Sequence, residues 1–199
     1  YFPELKDYNI PVFYSPNTSP KEKKSKIKDE EKFFLVVSGN RWEKNNLRAI
    51  IAFDRLCDYK CMQGIRMKIT GCNINKYHYK IKHPNRFDFL GYIDDNELEL
   101  LYANAYVFIY PSLNEGFGYP PLEAMRYGTP VIASPYSSIA ETCGEGAFYF
   151  NPTSIEEIMN RMLIMVNNKK IYNEFSQKSI IQYEKILQRQ EHDLDAIIN

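Results

Sequence analysis

A doubly wound α/β domain with a parallel sheet is the fold class this sequence predicts, and three observations carry it. Short apolar runs alternate with stretches of helical periodicity from residue 33 onward. The runs are apolar at nearly every position rather than at every second one, as strands covered on both faces are. Most of them end in or beside Gly, Ser or Pro, where a strand gives way to a loop leading into a helix.

Taken in order, residues 1–32 precede this rhythm and read as a connector. YFPELKDYNIPVFYSPNTSP is rich in Pro, Tyr and Asn, and KEKKSKIKDEEK interleaves both charge signs without apolar spacing. Mixed charge of that kind makes a solvated linker rather than a binding patch. Residues 33–199 read as the Rossmann-like domain with its C-terminal helices. FFLVVSG (33–39) is the first strand, and NNLRAIIAFDRLCDYKCM (45–62) follows with Leu47, Ile50, Ile51 and Leu56 at helical spacing. RMKITG (66–71) and FDFLGY (87–92) are the second and third strands. DDNELELLYANA (94–105) is a helix with an Asp cap. AYVFIYPS (105–112) is the fourth strand, and a helix beginning near Pro121 is stopped by Gly128. TPVIAS (129–134) is the fifth strand, PYSSIAETCG (135–144) a short helix and GAFYF (146–150) the sixth strand. From Thr153 the pattern is helical.

Composition narrows the partners. With 44% hydrophobic and 15% aromatic residues the chain can bury a core. Its 25 basic residues balance 25 acidic ones, so there is no overall field to hold nucleic acid or an anionic surface. No apolar run approaches the roughly 20 residues that span a bilayer. The chain opens at Tyr1 without an initiator Met, which reads as a piece of something longer. Cys57 and Cys61 stand four apart on the expected first helix, but Cys72 and Cys143 form no second pair and His78, His83 and His192 keep no ligand spacing. The thiols read as small core residues in a reducing, cytoplasmic setting, with no metal site.

Ligands of doubly wound sheets bind outside the carboxyl ends of the strands, and two loops there are informative. In NEGFGYPPLEAM (114–125), Gly116 and Gly118 permit close backbone approach. Pro120 and Pro121 suit a first helical turn, whose amides lack partners. Such a turn is an anion site, and phosphate is the usual anion. Glu123, expected in that first turn, either complements the helix dipole or accepts hydrogen bonds from a diol such as a ribose. Glu115 is either a surface turn residue or the opposite lip of the same mouth. In SGNRWEKNN (38–46), Arg41 and Lys44 are either ordinary exposed cations or a clamp that balances a diphosphate without metal.

These residues also carry a resemblance. The run from LYANAYVFIYPS through NEGFGYPPLEAMRYGTPVIAS to GEGAFYFNP resembles the signature region of the retaining family-4 glycosyltransferases, which have the GT-B fold. Their E-x7-E motif is matched by Glu115 and Glu123. SGNRWEKNN resembles the family loop whose basic residues meet the donor diphosphate, and FLGYIDDNELELLYANA the segment whose backbone holds the nucleobase. The match runs from about residue 33 to 166.

The resemblance implies a set of roles. Glu123 would bind the ribose hydroxyls and Glu115 the donor sugar, so the two acids hold opposite ends of a nucleotide sugar rather than working as an acid–base pair. Gly116, Phe117, Gly118 and Tyr119 would meet phosphate and sugar, Gly39 and Asn40 would line the first loop, and Tyr92 and Ile93 would hold the base. Lys44 and Arg41 would neutralise the leaving diphosphate. Many family members place the arginine beside the lysine, where this chain has Glu43. The implied protein is the C-terminal, donor-binding half of a GT-B enzyme. It would transfer a hexose from a UDP- or GDP-linked sugar to a glycan or lipid-linked acceptor held by a missing N-terminal half. No cofactor is implied, and the full-length enzyme would work in the cytoplasm, associated peripherally with the inner face of the membrane. The alternatives are a non-catalytic nucleotide-sugar-binding subunit and a glycogen- or sucrose-synthase-like GT-B enzyme.

Overall fold

The computed structural model describes Tyr14, residues 31–72 and residues 81–198. The connector reading of residues 1–32 lies outside the described residues except at Tyr14, Glu31 and Lys32, and His78 also lies outside them. Among the described residues, six strands form one all-parallel sheet in the order β3-β2-β1-β4-β5-β6. They are β1 (Phe33–Val37), β2 (Arg66–Thr70), β3 (Phe87–Gly91), β4 (Val107–Tyr110), β5 (Val131–Ala133) and β6 (Ala147–Tyr149). The helices are α1 (Asn46–Leu56), α2 (Asp95–Asn104), α3 (Tyr119–Arg126), α4 (Ile139–Cys143), α5 (Ile155–Asn167) and α6 (Lys169–Ile198).

The period of two along β1 shows why its run is wholly apolar. Phe34 and Val36 enter a core with Ile50, Phe53 and Leu56 of α1 and Ile158 and Met162 of α5. Phe33 and Leu35 enter a second core with Tyr102 of α2, Leu122 and Met125 of α3 and Ile139 of α4. Water reaches neither face, so no position on this strand has a use for a polar side chain. Long α6 then packs across α3, α4 and the β5–β6 edge. No described helix is long and apolar enough to cross a membrane.

The strand order places the site. The chain builds outward from β1 through β2 to β3, then jumps back to start β4 on β1's other side. Phe34 therefore pairs with Met67 on one side and Val107 on the other. After β1 the chain turns into α1 against one core, and after β4 into α3 against the other. Two neighbouring strands whose exits diverge leave a crevice between them, the switch point at which such sheets bind ligands.

Several boundaries differ from expectation, among them that of α4, which begins at Ile139 rather than at Pro135. The first helix stops at Leu56 rather than running to residue 62; Lys60–Met62 form a separate 3-10 turn. The Arg86 guanidinium donates to the carbonyls of Met62 and Ile65, satisfying groups that a continuing helix would have used itself. The helix expected near Pro121 begins at Tyr119, because Gly118 takes a left-handed conformation (φ 96°) as its cap. Both prolines then occupy the first turn, where they forgo no hydrogen bond. Glu123 is thereby moved out of the first turn, where a helix dipole acts most strongly.

Candidate functional site

The loops after β1 and β4 are stitched together at the switch point. The Glu43 carbonyl accepts from the Leu113 amide at 2.7 Å and from Ser112 Oγ at 3.1 Å. Asn45, left-handed at φ 55° and buried, donates through Nδ2 to the carbonyls of Pro111 and Pro152 at 2.9 and 2.8 Å. Asparagine is among the few side-chain-bearing residues that accept that backbone readily. Gly71, at the end of β2, has φ +68°, and a Cβ there would stand 1.7 Å from the Ser38 carbonyl oxygen. Only glycine lets β2 end against the first loop so closely.

This bracing delivers one ion pair to the centre of the crevice. Lys44, last residue of a 3-10 turn, donates to both oxygens of Glu115 at 2.7 and 2.9 Å. The side chains are 13% and 11% exposed. Burial pushes the Glu115 carboxyl up, but the hydrogen bonds from Lys44 outweigh it and leave the acid below its ordinary range. The Tyr110 hydroxyl is buried and faces this carboxylate short of good hydrogen-bond geometry. Glu123, partly buried in the second turn of α3, stands likewise beside the buried Tyr102 hydroxyl. Burial, then the neighbouring acid, raises both phenols, and Tyr110 feels Glu115 and Glu123 together.

A cavity of about 520 Å³ opens beside the pair, lined by Arg41, Trp42, Glu43, Asn114, Glu115 and Gly116. Two carbonyls of its glycine loop are occupied. That of Glu115 accepts from Ser137 Oγ at 2.7 Å and Ser138 Oγ at 3.0 Å, and that of Phe117 from Thr142 Oγ1 at 2.5 Å. The amides of Gly116, Phe117 and Gly118 donate to none of the described residues. Gly116 is exposed, with open space where a Cβ would be. Hydroxyls thus hold the loop by its acceptors, leaving its donors for a ligand with anionic or hydroxyl oxygens.

The remaining expected residues fall around this centre. Arg41 lines the cavity but turns outward, its side chain 70% exposed and its Nε 3.0 Å from Glu43. It does not join Lys44 at Glu115. Gly39 accepts from Asn46 Nδ2 at 3.1 Å, and Asn40 beside it is exposed. Tyr119 opens α3 with its ring 4.7 Å from that of Phe117. Tyr92, 95% exposed, and Ile93 follow β3, two strands from β1 along the same rim.

Sequence reasoning missed several residues that shape the site: Asn45, Ser137, Ser138, Thr142 and Trp42. Trp42 is 80% exposed at the cavity mouth. An asparagine just before a helix was the legible signal for Asn45. Among the described residues, no group of three or more His, Cys, Asp or Glu side chains stands close enough to hold a metal, and all four cysteines are free.

Comparison with known proteins bears on the family and the fold. Residues 17–182 match the family model described as Glycosyl transferases group 1. The O-antigen chain mannosyltransferase RfbU of Salmonella typhimurium is 33% identical over 127 residues, 63% of this chain and 36% of that protein. An uncharacterized glycosyltransferase of Methanocaldococcus jannaschii is 28% identical over 173 residues, 77% of this chain and 44% of that protein. The chain thus spans less than half the length of these relatives. Among solved structures, the C-terminal domain of the glycosyl transferase group 1 family protein LpcC from Francisella tularensis superposes with a TM-score of 0.68 at 21% identity. That likeness covers 86% of this chain and 94% of LpcC's. Sucrose-phosphate synthase from Thermosynechococcus elongatus gives 0.72 at 20% identity, covering 84% of this chain and 44% of that one.

Proposed function

The chain belongs to the glycosyl transferases group 1 family, and on that premise we propose that it is the donor-binding half of a retaining GT-B hexosyltransferase. Its ligand is a nucleoside-diphosphate sugar, and the full-length enzyme elongates a glycan or lipid-linked acceptor on the cytoplasmic side of a membrane. Relatives named as mannosyltransferases, at 33–43% identity over parts of the chain, make a mannose-bearing donor the first to test. One observation carries the reading. A nearly buried Lys44–Glu115 pair stands at the switch point, beside a loop whose Glu115 and Phe117 carbonyls are bonded and whose Gly116–Gly118 amides donate to none of the described residues.

In this reading the free site is self-neutralised, and the donor exchanges its partners. The diphosphate takes the Lys44 ammonium and the loop amides, and the released Glu115 carboxylate accepts from hydroxyls of the hexose. Glu123 accepts from the ribose. On transfer the bond from the anomeric carbon to the diphosphate oxygen breaks, the electron pair leaving with the diphosphate. The acceptor oxygen bonds that carbon from the same face, and its proton passes to the departing diphosphate. Charge accumulating on the leaving group is what Lys44 stabilises, and losing such a contact lowers transfer by about 10²–10³.

Calorimetric titration of the chain with UDP, GDP and ADP, each with and without EDTA, tests the proposal. Micromolar binding of one of them, unchanged by EDTA and weakened by Lys44→Met, is the expected outcome. Loss of binding in EDTA with Lys44→Met indifferent would put a metal in place of the clamp. We expect the chain alone to transfer no sugar at a useful rate, because every motif recognised in it belongs to the donor half and transfer needs an acceptor held against the donor. Multiple turnovers by the purified chain would contradict the half-enzyme reading.

A further inference from the structure

One side chain brings the early part of the chain and the end of α6 together at the glycine loop. Tyr14 stands edge-on to Phe117, with ring centroids 5.2 Å apart and planes at 83°. Three other contacts fix it. Its hydroxyl makes a short hydrogen bond to the Glu141 carboxylate of α4. Its amide donates to Asp193 Oδ2 of α6 at 2.9 Å. The Arg189 guanidinium lies 5.5 Å over its ring and is itself paired with Asp193 at 2.8 Å. Burial, and then the Glu141 bond, push the phenol up to about 12, so the hydroxyl remains a donor at any working pH.

Phe117 is confined from its other sides as well. Its carbonyl accepts from Thr142, the neighbour of Glu141 on α4, and its ring lies against Tyr119. One turn of α4 therefore grips both Tyr14 and the loop. An aromatic side chain on a loop tip samples several rotamers when nothing holds it, and a ligand that orders it must offset the lost entropy. A ring already locked carries no such cost.

We propose that Tyr14 is a positioning residue for the Gly116–Gly118 loop. It touches no substrate; it sets Phe117, and with it the loop amides, for a nucleoside-diphosphate sugar. The inference rests on the donor-binding reading above.

A double-mutant cycle on this chain, read by titration with UDP and GDP, tests the coupling. Tyr14→Ala weakens nucleotide binding about 3- to 10-fold, the span expected from one edge-to-face aromatic pair. Tyr14→Phe, which keeps the ring and loses the hydroxyl, recovers most of that loss. In a Phe117→Leu background, Tyr14→Ala adds nothing. Equal binding by wild type and Tyr14→Ala overturns the proposal. Additive effects of the two changes also overturn it, because Tyr14 would then brace the fold at large. Amide hydrogen exchange provides a readout without ligand. Tyr14→Ala speeds exchange at Gly116, Phe117 and Gly118 while β1 and β4 stay as protected as in wild type, and unchanged exchange at the loop sinks the idea. If the wild-type chain binds no nucleotide, the donor-binding reading fails and the exchange result alone decides the Tyr14 contact.

Discussion

Lys44→Met removes an ammonium and keeps the length of the stem, so it isolates what the central ion pair contributes before any ligand arrives. Glu115 would be left 11% exposed with no cation against it. Breaking a fully buried pair by removing one partner costs about 3–5 kcal/mol. Because about a tenth of each side chain still meets water, we expect about 2–3 kcal/mol here at neutral pH. The pH dependence has a definite sign. In the wild type Glu115 titrates below its ordinary 4.5, so its stabilisation is complete above that value and is lost as pH falls through the folded one. In the variant the strongest opponent of burial is gone, and protonating Glu115 relieves an unpaired charge. The stability gap between the two proteins therefore narrows on acidification. Urea denaturation at several pH values between 7.5 and 4.5 reads both quantities, and Lys44→Met with Glu115→Gln should recover most of the loss. A variant within about 0.5 kcal/mol of wild type, the worth of an exposed pair, with a parallel pH profile would show that the bridge does not form in solution.

Three further outcomes follow from particular contacts. Glu123→Ala weakens nucleotide binding roughly 10- to 100-fold, as losing charge-assisted hydrogen bonds of about 1.5–3 kcal/mol would, and leaves the urea midpoint near wild type; an unchanged dissociation constant removes Glu123 from the site. Asn45→Ala abandons the buried carbonyls of Pro111 and Pro152 and destabilises by about 2–4 kcal/mol in urea denaturation, whereas a loss under 1 kcal/mol would mean that the loops are joined some other way. Gly71→Ala drives a Cβ into the Ser38 carbonyl at a positive φ and costs about 2–5 kcal/mol; wild-type stability would show that β2 ends differently.

Much of this was legible in the chain, and the reasons differ from residue to residue. β1 was visible because both of its faces are buried, which leaves FFLVV no polar position. The glycine loop was visible because Gly118 and two prolines each have few other uses. Pairing of Lys44 with Glu115 was not legible. The residues are 71 apart, and they meet only because β4 lies against β1, which apolar periodicity does not dictate. Arg41 and Lys44 looked alike as cations after a strand, but the turn at 42–44 sends one outward and the other into the crevice. Glu123 was placed one turn too early because Gly118's left-handed cap starts α3 before the prolines. Ser137, Ser138 and Thr142 read as ordinary residues of a short helix; that they hold carbonyls of the glycine loop depends on β5 lying beside β4.

The central claim is that a nucleoside diphosphate sits between the β1 and β4 loops and takes Lys44 from Glu115. A crystal structure of the chain with the nucleotide that binds best tests this directly. Phosphate oxygens within hydrogen-bonding distance of Lys44 Nζ and the Gly116–Gly118 amides, with the Lys44–Glu115 bonds of 2.7 and 2.9 Å broken, is the predicted result. A nucleotide bound elsewhere on the rim, or one bound with that pair still closed, would contradict it.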